Sequence, residues 1–241
     1  MRASPAGKTV AIVQSSYIPW KGYFDLINSV DEFILYDDRQ YTRRDWRNRN
    51  RIKAPGGSVW LTVPVMSKGR YLQRIDATYA EDDAWRTRHW QTLLHSYARA
   101  PYFAGYAPLV EELYLGSRER RLSLINRSFI EAVCRLLGIE TTLRWSTEYA
   151  AEGSKTARLV DLCRQAGATD YLSGPTARTY LQESLFTAHA MSVRYMDYSN
   201  YPPYPQVHPP FDHNVTILDL LFHTGPEARR YMKSFDTTGL Q

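Results

Sequence analysis

The sequence contains few cysteines and no long apolar run. Cys134 and Cys163 are the only thiols among 241 residues, which excludes a disulfide framework and a tetrahedral zinc site built from thiolates. No apolar run approaches the roughly 20 residues that cross a bilayer, and the first residues lack the apolar core of a secretory signal. We therefore expect a cytoplasmic protein with no membrane span.

Acidic side chains are scarce in one segment. Residues 39–53, RQYTRRDWRNRNRIK, hold seven basic side chains against Asp45 alone, a net charge of +6. The whole chain carries +5, so the remainder carries −1. Such a local cluster indicates a site for one anionic group, whereas an evenly basic chain would indicate a nucleic-acid or membrane surface. A nucleic-acid-binding module that uses Tyr41 and Trp46 for stacking is a less favoured alternative.

The order of apolar patterns predicts an α/β fold. Apolar runs at 8–14 and 31–36 flank a helical pattern at 21–30, which is typical of a βαβ unit in a parallel sheet. We predict a strand pair at 58–65 and 72–75, a helical insert at about 82–137, further strands at 141–145, 170–172 and 191–197, a helix from Ser154, and terminal helices at 216–222 and 226–232. The prediction is one α/β domain over residues 1–241, with a parallel or mixed sheet and C-terminal helices.

The junction after the first strand, from Gln14 to Tyr23, is the first candidate site. A helix that begins at the end of a buried strand presents free N–H groups to an anion, and Gly22 would let a substrate approach the backbone. Nucleotidyl-transferring α/β proteins have a His-x-Gly-His motif here, whereas this chain has Trp20-Lys21-Gly22-Tyr23. A turn packed with aromatic residues is the alternative, and the sequence leaves both interpretations open.

The second candidate site joins Asp37 and Asp38 to the basic segment. Carboxylates at the carboxyl end of a parallel strand lie where open α/β sheets bind ligands, and either aspartate could act as a base or hold a metal ion. Arginine binds phosphate with two parallel hydrogen bonds, so this segment would supply the donors Gln40, Tyr41, Arg47, Asn48 and Arg49. The alternative is a solvated loop whose arginines pair with nearby carboxylates.

The remaining polar candidates are weaker. No histidine spacing resembles a zinc site, and His89 is either structural or lines a cleft beside Trp90. Both cysteines fall in apolar stretches that are typical of unreactive core residues. The segments Ser154-Lys155-Thr156 and Ser173-Gly174 are each consistent with an anion site or with an ordinary cap or turn.

Several long motifs resemble those of the WbqC-like family of bacteria. They are AIVQSSYIPWKGYFDLINSVDEFILYDDRQYTRRDWRNRNRIK, HW at 89–90, APYF at 100–103, ATDYLSGPTARTYL and VTILDLLFHTGPEA, and together they cover about residues 8–232. Family members commonly read Tyr-Asp-Asp-Val-Gln-Tyr, whereas this chain has Arg39 at the valine position. The resemblance implies membership in clusters for surface-polysaccharide (O-antigen) and secondary-metabolite biosynthesis.

The residues and the resemblance together favour a transferase that acts on a phosphate-bearing small molecule or carrier-bound substrate. A nucleotide sugar, or an acyl group on a phosphopantetheine carrier, would bind at the helix that starts near Trp20. The candidate catalytic residues are Tyr17, Asp37, Asp38 and His89, and the candidate binding residues are Gln14, Trp20, Lys21, Gly22, Tyr23, Gln40, Arg44, Trp46, Arg47, Asn48, Arg49, Lys155 and Ser173. A non-catalytic scaffold is a further alternative. The sequence leaves open any cofactor or metal, and a homodimer is one option for the oligomeric state.

Overall fold

A computed structural model describes residues 7–235. The strands in this part of the chain are β1 (Thr9–Val13), β2 (Glu32–Leu35), β3 (Arg49–Ala54), β4 (Gly57–Thr62), β5 (Thr142–Trp145), β6 (Asp170–Ser173) and β7 (Ser192–Tyr195). Five of them form one sheet in the order β5-β2-β1-β6-β7, and every pairing in it is parallel. The predicted α/β fold class is confirmed.

The helices cover both faces of this sheet. They are α1 (Lys21–Asn28), α2 (Ala84–Tyr97), α3 (Phe103–Glu111), α4 (Leu122–Leu137), α5 (Lys155–Gln165), α6 (Glu183–Thr187) and α7 (Ile217–Thr224). Side chains of β1 alternate between two hydrophobic clusters, because successive residues of a strand point to opposite faces. Ala11 lies in the cluster that includes α1, α2, α4 and α7, whereas Val10 and Ile12 lie in the cluster with α5 and α6. This two-sided burial explains why β1 has no polar alternation.

The first βαβ unit is present as predicted. β1 pairs with β2 in parallel from Val10–Glu32 to Val13–Leu35, and α1 connects the two strands. Both cysteines are buried, on α4 and α5, and burial raises the pKa of each thiol to about 12. Their predicted place in the core is confirmed. No helix among residues 7–235 is long and apolar enough to cross a membrane.

The predicted strand pair at 58–65 and 72–75 is wrong. β4 pairs instead with β3, antiparallel, through a tight turn at Pro55 and Gly56, so the second half of the basic segment is a strand. Residues 72–75 form no strand and contribute one isolated bridge, between Arg74 and Gln40. The pattern was misleading because β3 contains a single large aliphatic residue, Ile52, among arginines, asparagine and lysine.

Several helix boundaries also differ from the prediction. Within the predicted helical insert, α3 is followed by a π-turn at Glu112–Gly116. The terminal helix predicted over 226–232 is a 3₁₀ segment at Gly225–Tyr231. The short helix α6 was not predicted. Hydrogen bonds at helix ends readily change from α to 3₁₀ or π spacing, and the residue pattern does not distinguish them.

Candidate functional site

A large cavity lies at the point where the strand order reverses. The chain leaves β1 toward β2 on one side, while β6 adds to β1 on the other side, so a crevice opens between the carboxyl ends of β1 and β6. Open α/β sheets bind their ligands at this position. The cavity here measures about 950 Å³, a size that accommodates a small-molecule or cofactor ligand.

Several parts of the chain form the walls of this main cavity. Val13 and Gln14 come from the end of β1, Ser173 and Gly174 from the end of β6, and Tyr36 follows β2. The remaining walls come from the starts of α1 and α5, the basic segment and the tyrosines of the second half, namely Trp20, Tyr23, Arg39, Arg47, Ser154, Lys155, Thr156, Tyr171, Tyr180 and Tyr198. The lining therefore combines aromatic rings, hydroxyl groups and cations.

The charges that line the main cavity are all positive. Arg39, Arg47 and Lys155 are its ionisable cations, and no described aspartate or glutamate lines it. Arg39 forms an ion pair with Asp38, with Nη2 2.7 Å from Oδ2. Cations that lie between low-dielectric aromatic walls attract anions more strongly than the same cations in open water.

Arg47 is the most buried of these three cations. Its side chain is only 11% exposed, and its Nε and Nη1 atoms are buried without a hydrogen-bond partner among the described residues. The carboxylate of Asp45 forms an ion pair with it, but the separation of 3.8 Å between Nε and Oδ2 is too long for a hydrogen bond. Buried N–H groups without hydrogen-bond partners are destabilising, which makes Arg47 a candidate for ligand binding.

Hydrogen bonds from two other elements hold the backbone of Arg47 in place. Asn126 on α4 donates from Nδ2 to the Arg47 carbonyl oxygen at 2.9 Å, and also to Ser15 Oγ at 2.9 Å. The Tyr17 N–H donates to the Trp46 carbonyl oxygen at 2.9 Å. The basic segment is thus joined to the β1–α1 loop, and Arg47 faces the cavity from a fixed backbone.

The start of α5 faces the same cavity. Gly153 and Lys155 both have positive φ angles, 81° and 51°, so the chain enters the helix through a left-handed turn. Ser154 is the N-cap residue, yet its side chain makes no capping hydrogen bond. The first N–H groups of a helix have no partner within the helix, and Ser154, Lys155 and Thr156 line the cavity at this point. Lys155 and Ser173, two of the predicted binding residues, therefore line the same cavity.

Trp20 forms an aromatic wall and explains the neighbouring glycine. Its ring contacts Tyr198 and Tyr201 edge-on, at centroid distances of 5.1 and 5.7 Å. A Cβ atom on Gly22 would lie 2.4 Å from the Trp20 ring. We expected Gly22 to admit a substrate, but the indole fills that space and Gly22 does not line the cavity.

Lys21 also points away from the main cavity. It is 3% exposed, and its Nζ lies 4.6 Å from the centre of the Tyr201 ring. Burial lowers the pKa of Lys21 to about 8. The structure therefore places Lys21 in the interior, stabilised by a cation–π contact.

A second cavity of about 230 Å³ lies beside the first, at the ends of β2 and β5, and both predicted aspartates line it. Asp37 is 1% exposed, and its Oδ1 accepts a hydrogen bond of 2.7 Å from the Ser15 N–H while Oδ2 has no partner. Burial raises the pKa of Asp37 to about 6, although Ser15 and the charge of Arg47 act in the opposite direction. A carboxyl group with such a pKa can accept a proton near neutral pH.

Asp38 has the opposite environment. Its carboxylate accepts hydrogen bonds of 2.7 Å from Arg39, Arg158 and Ser146. Burial alone would raise the pKa of Asp38, but these hydrogen bonds and the two arginine charges outweigh it and hold the pKa below its ordinary value. Within residues 7–235 no three His, Cys, Asp or Glu side chains are grouped so that they could hold a metal ion.

A third cavity, of about 470 Å³, adjoins the main one. Trp20, Tyr23 and Arg47 line both cavities, and Trp46 lines the third alone. The predicted binding residues Gln14, Trp20, Tyr23, Trp46, Arg47, Lys155 and Ser173 are therefore brought together around two adjoining cavities.

Other predicted residues lie elsewhere. Tyr17 is fully buried, and its hydroxyl lies 2.9 Å from His89 Nδ1 and 2.7 Å from the Tyr114 hydroxyl, in a cluster that lines none of the three cavities. Burial lowers the pKa of His89 to about 4. Four further predicted residues line none of these cavities: Gln40, Arg44, Asn48 and Arg49. Arg44 is exposed, and Arg49 stacks on Trp60. The Gln40 and Asn48 side chains donate hydrogen bonds to the Tyr71 and Val63 carbonyl oxygens.

The prediction missed several lining residues. Tyr36, at the end of β2, is not among the predicted site residues, and neither is Arg39, although the basic segment begins there; Ser154 and Thr156 belong to a segment that the sequence left open as an anion site or an ordinary cap. Those positions could have been found from the predicted elements alone. Tyr180 and Tyr198 come from irregular segments, and no periodic pattern indicates their place.

The chain is thus an α/β protein with a parallel sheet and a cationic, aromatic cavity at the point where the strand order reverses. The model of the WbqC-like protein family matches residues 14–231, and the chain belongs to this family. It is 50% identical over 226 residues to the uncharacterized protein Rv1507c of Mycobacterium tuberculosis, covering 94% of this chain and 98% of that protein. No solved structure matches the chain.

Proposed function

We propose that this protein is a transferase of bacterial polysaccharide or secondary-metabolite biosynthesis, and that its main cavity binds a phosphate-bearing substrate. Arg47 supports this proposal most directly, since its buried guanidinium atoms have no hydrogen-bond partner while it lines two adjoining cavities. Phosphate oxygens are suitable partners for a guanidinium group, because two parallel hydrogen bonds match their spacing.

The rest of the lining favours phosphate over an uncharged ligand. Lys155 and the start of α5 add a second positive region across from Arg47, and no described carboxylate opposes them in the lining. Helix N-termini bind phosphate through free N–H groups and the helix dipole. Aromatic walls at Trp20 and Tyr198 provide rings against which a base, a sugar or an acyl chain packs.

Two substrate classes fit this description: a nucleotide sugar and an acyl group on a phosphopantetheine carrier. Both place a phosphate next to a larger group, and the main cavity of about 950 Å³ has room for either. In both cases Asp37 is the proposed base, since its Oδ2 has no hydrogen-bond partner and its pKa is about 6. The acceptor of the transferred group would then approach through the second cavity, which Asp37 lines.

Arg47→Met tests the proposal, with Arg44→Met as its matched control. Arg44 belongs to the same basic segment but is exposed and lines none of the three cavities. Uridine diphosphate glucose and acetyl coenzyme A serve as probes of the two classes, with thermal unfolding and calorimetry as readouts. A ligand that binds only the folded state raises the melting temperature, by an amount that grows with the logarithm of its concentration relative to Kd.

We expect one probe to stabilise the unmodified protein and Arg44→Met, and to lose its effect on Arg47→Met. Without ligand, Arg47→Met should be the more stable protein by about 1–3 kcal/mol, because it removes buried N–H groups that have no hydrogen-bond partner. Equal probe binding by Arg47→Met and Arg44→Met would refute the site. Binding of neither probe by the unmodified protein would refute the proposed substrate classes.

A further inference from the structure

Exposed large apolar side chains are concentrated in one part of the chain. Ten such residues are found among residues 7–235, and six of them fall between positions 46 and 72. We call these six, with the basic side chains among them, the apolar–basic surface: Trp46, Val59, Trp60, Met66, Tyr71 and Leu72. A single exposed apolar residue needs no explanation, but a cluster of this kind marks an interaction surface.

The same part of the chain carries a larger positive charge than the chain as a whole. Residues 39–74 contain ten basic side chains and one acidic side chain, Asp45, so their net charge is +9. The whole chain carries +5, which leaves −4 for the rest. The basic region is therefore more extensive than the segment 39–53, and it coincides with the apolar residues.

Hydrogen bonds and ring contacts bring these residues together in space. The Trp46 and Trp60 rings lie 5.5 Å apart, and the Arg49 guanidinium lies 4.2 Å from the centre of the Trp60 ring. The loop that carries Tyr71 is joined to the basic segment, because Gln40 Nε2 donates to the Tyr71 carbonyl oxygen at 2.9 Å. Arg43 Nη2 donates to the Ser67 carbonyl oxygen at 2.6 Å.

We propose that the apolar–basic surface binds the surface of an anionic lipid bilayer. Tyr71 and Leu72 are 82% and 79% exposed, so both side chains extend into solvent at one loop tip. In this proposal they enter the interface, tryptophan rings lie at the level of the headgroups, and arginines and lysines contact lipid phosphates.

The residue types favour lipid over the other polyanionic partners. RNA would stack on Trp46 and Trp60 but would gain nothing from the exposed side chains of Leu72, Met66 and Val59. An acidic protein would need a shape that matches the loop tip, whereas a fluid headgroup layer accepts exposed apolar tips without such a match. The proposal goes beyond the proposed function and does not depend on it, although Trp46 also lines the third cavity and so places this surface beside the substrate site.

Co-sedimentation with vesicles tests the proposal. The full chain is mixed with phosphatidylcholine vesicles that contain about 30% phosphatidylglycerol, or with phosphatidylcholine alone, at about 0.1 M and about 0.5 M salt. We expect binding to the anionic vesicles at low salt, little binding to the neutral ones, and a strong decrease at high salt. The same fraction in the pellet with both lipids, or no binding to anionic vesicles, would overturn the proposal.

Variants locate the contact. The double change Tyr71→Ser and Leu72→Ser should weaken partitioning by about tenfold or more, since it removes the side chains that enter the interface. Arg43→Gln should weaken it by about fivefold. Leu115→Ser is the control, because Leu115 is exposed but lies outside residues 39–74 and lines none of the three cavities. Equal loss of vesicle binding in Leu115→Ser and the double variant would contradict the assignment. So would displacement of the vesicles by a single-stranded RNA oligomer with no effect of the double variant.

Discussion

The protonation of Asp37 should make the stability of this protein fall as the pH rises. Its carboxyl group is 1% exposed, and burial raises its pKa from 3.8 to about 6. The folded state therefore holds a proton that the unfolded state releases between pH 4 and 6. Above pH 6 the folded protein contains a buried carboxylate, and the difference in pKa corresponds to about 3 kcal/mol of lost stability.

The variant Asp37→Asn removes this titration while keeping the size and an oxygen acceptor for the Ser15 N–H. Relative to the unmodified protein, its free energy of unfolding should increase between pH 4 and 6 and then remain constant, with a total change of about 3 kcal/mol. Urea denaturation followed by circular dichroism, at intervals across pH 4–8, measures this difference directly. Only the pH-dependent part matters, because the substitution also has a constant effect on packing.

Asp38→Asn is the matched control with the opposite sign. Hydrogen bonds and charges from Arg39 and Arg158 hold the pKa of Asp38 below its ordinary value, despite burial. This group therefore stabilises the fold above its unfolded pKa, and the contribution is lost as the pH falls through its folded pKa. A difference between Asp37→Asn and the unmodified protein that does not vary over pH 4–7 would refute the reasoning about Asp37.

Two further predictions concern the core. Gly22→Ala should destabilise the protein by about 1–3 kcal/mol, because its new Cβ would lie 2.4 Å from the Trp20 ring. Gly105→Ala in α3 has open space around the new Cβ and should be neutral or slightly stabilising. Chemical denaturation measures the free energy of unfolding of both variants, and equal effects of the two substitutions would contradict the prediction. His89→Gln should make the stability of the protein less sensitive to acid. Burial lowers the pKa of His89 to about 4, so the free energy of unfolding of the unmodified protein should decrease by about 3 kcal/mol as the pH falls from 6.5 to 4. The decrease should be smaller in the variant. Unchanged ligand binding by His89→Gln would support a structural role for the Tyr17–His89 cluster, and loss of binding with an intact fold would support the predicted catalytic one.

The parallel sheet could be predicted because its signals are local. The strand β1 is a continuous apolar run, and a strand buried on both faces requires such a run. The hairpin of β3 and β4 could not be predicted in the same way, since β3 presents Arg49 and Arg51 on one side and buries Asn50 on the other. The buried Asn50 side chain donates hydrogen bonds to the Tyr17 and Ile18 carbonyls. Such tertiary hydrogen bonds leave no signal in the spacing of apolar residues along the sequence.

The site was predictable to the extent that strand ends meet at one edge of a sheet. Gln14 and Ser173 follow this rule, and both line the main cavity. Tyr17 does not, because four residues beyond the end of β1 the chain has already turned inward, and the Tyr17 hydroxyl lies 2.9 Å from His89 Nδ1 in the core. The turn before β3 and the alternation of side chains along β3 decide which arginine of the basic segment faces the cavity. The composition of the segment shows neither the turn nor the strand.

The lack of hydrogen-bond partners for Arg47 among the described residues follows from how the fold distributes its carboxylates. Asp38 is shared by two other arginines, and Asp45 is engaged by hydrogen bonds within its own turn. Asp37 acts on Arg47 through its charge, but its Oδ1 is bound to a backbone N–H and it lines a different cavity. Neighbouring carboxylates thus form their hydrogen bonds with other partners, and the Arg47 N–H groups are left without one. Under the proposed function, an anion bound there would also cancel the charge that now lowers the pKa of Asp37, so substrate binding would make this carboxyl group a stronger base. The proposal therefore predicts that the cation of the main cavity and the proton acceptor of the second cavity act together.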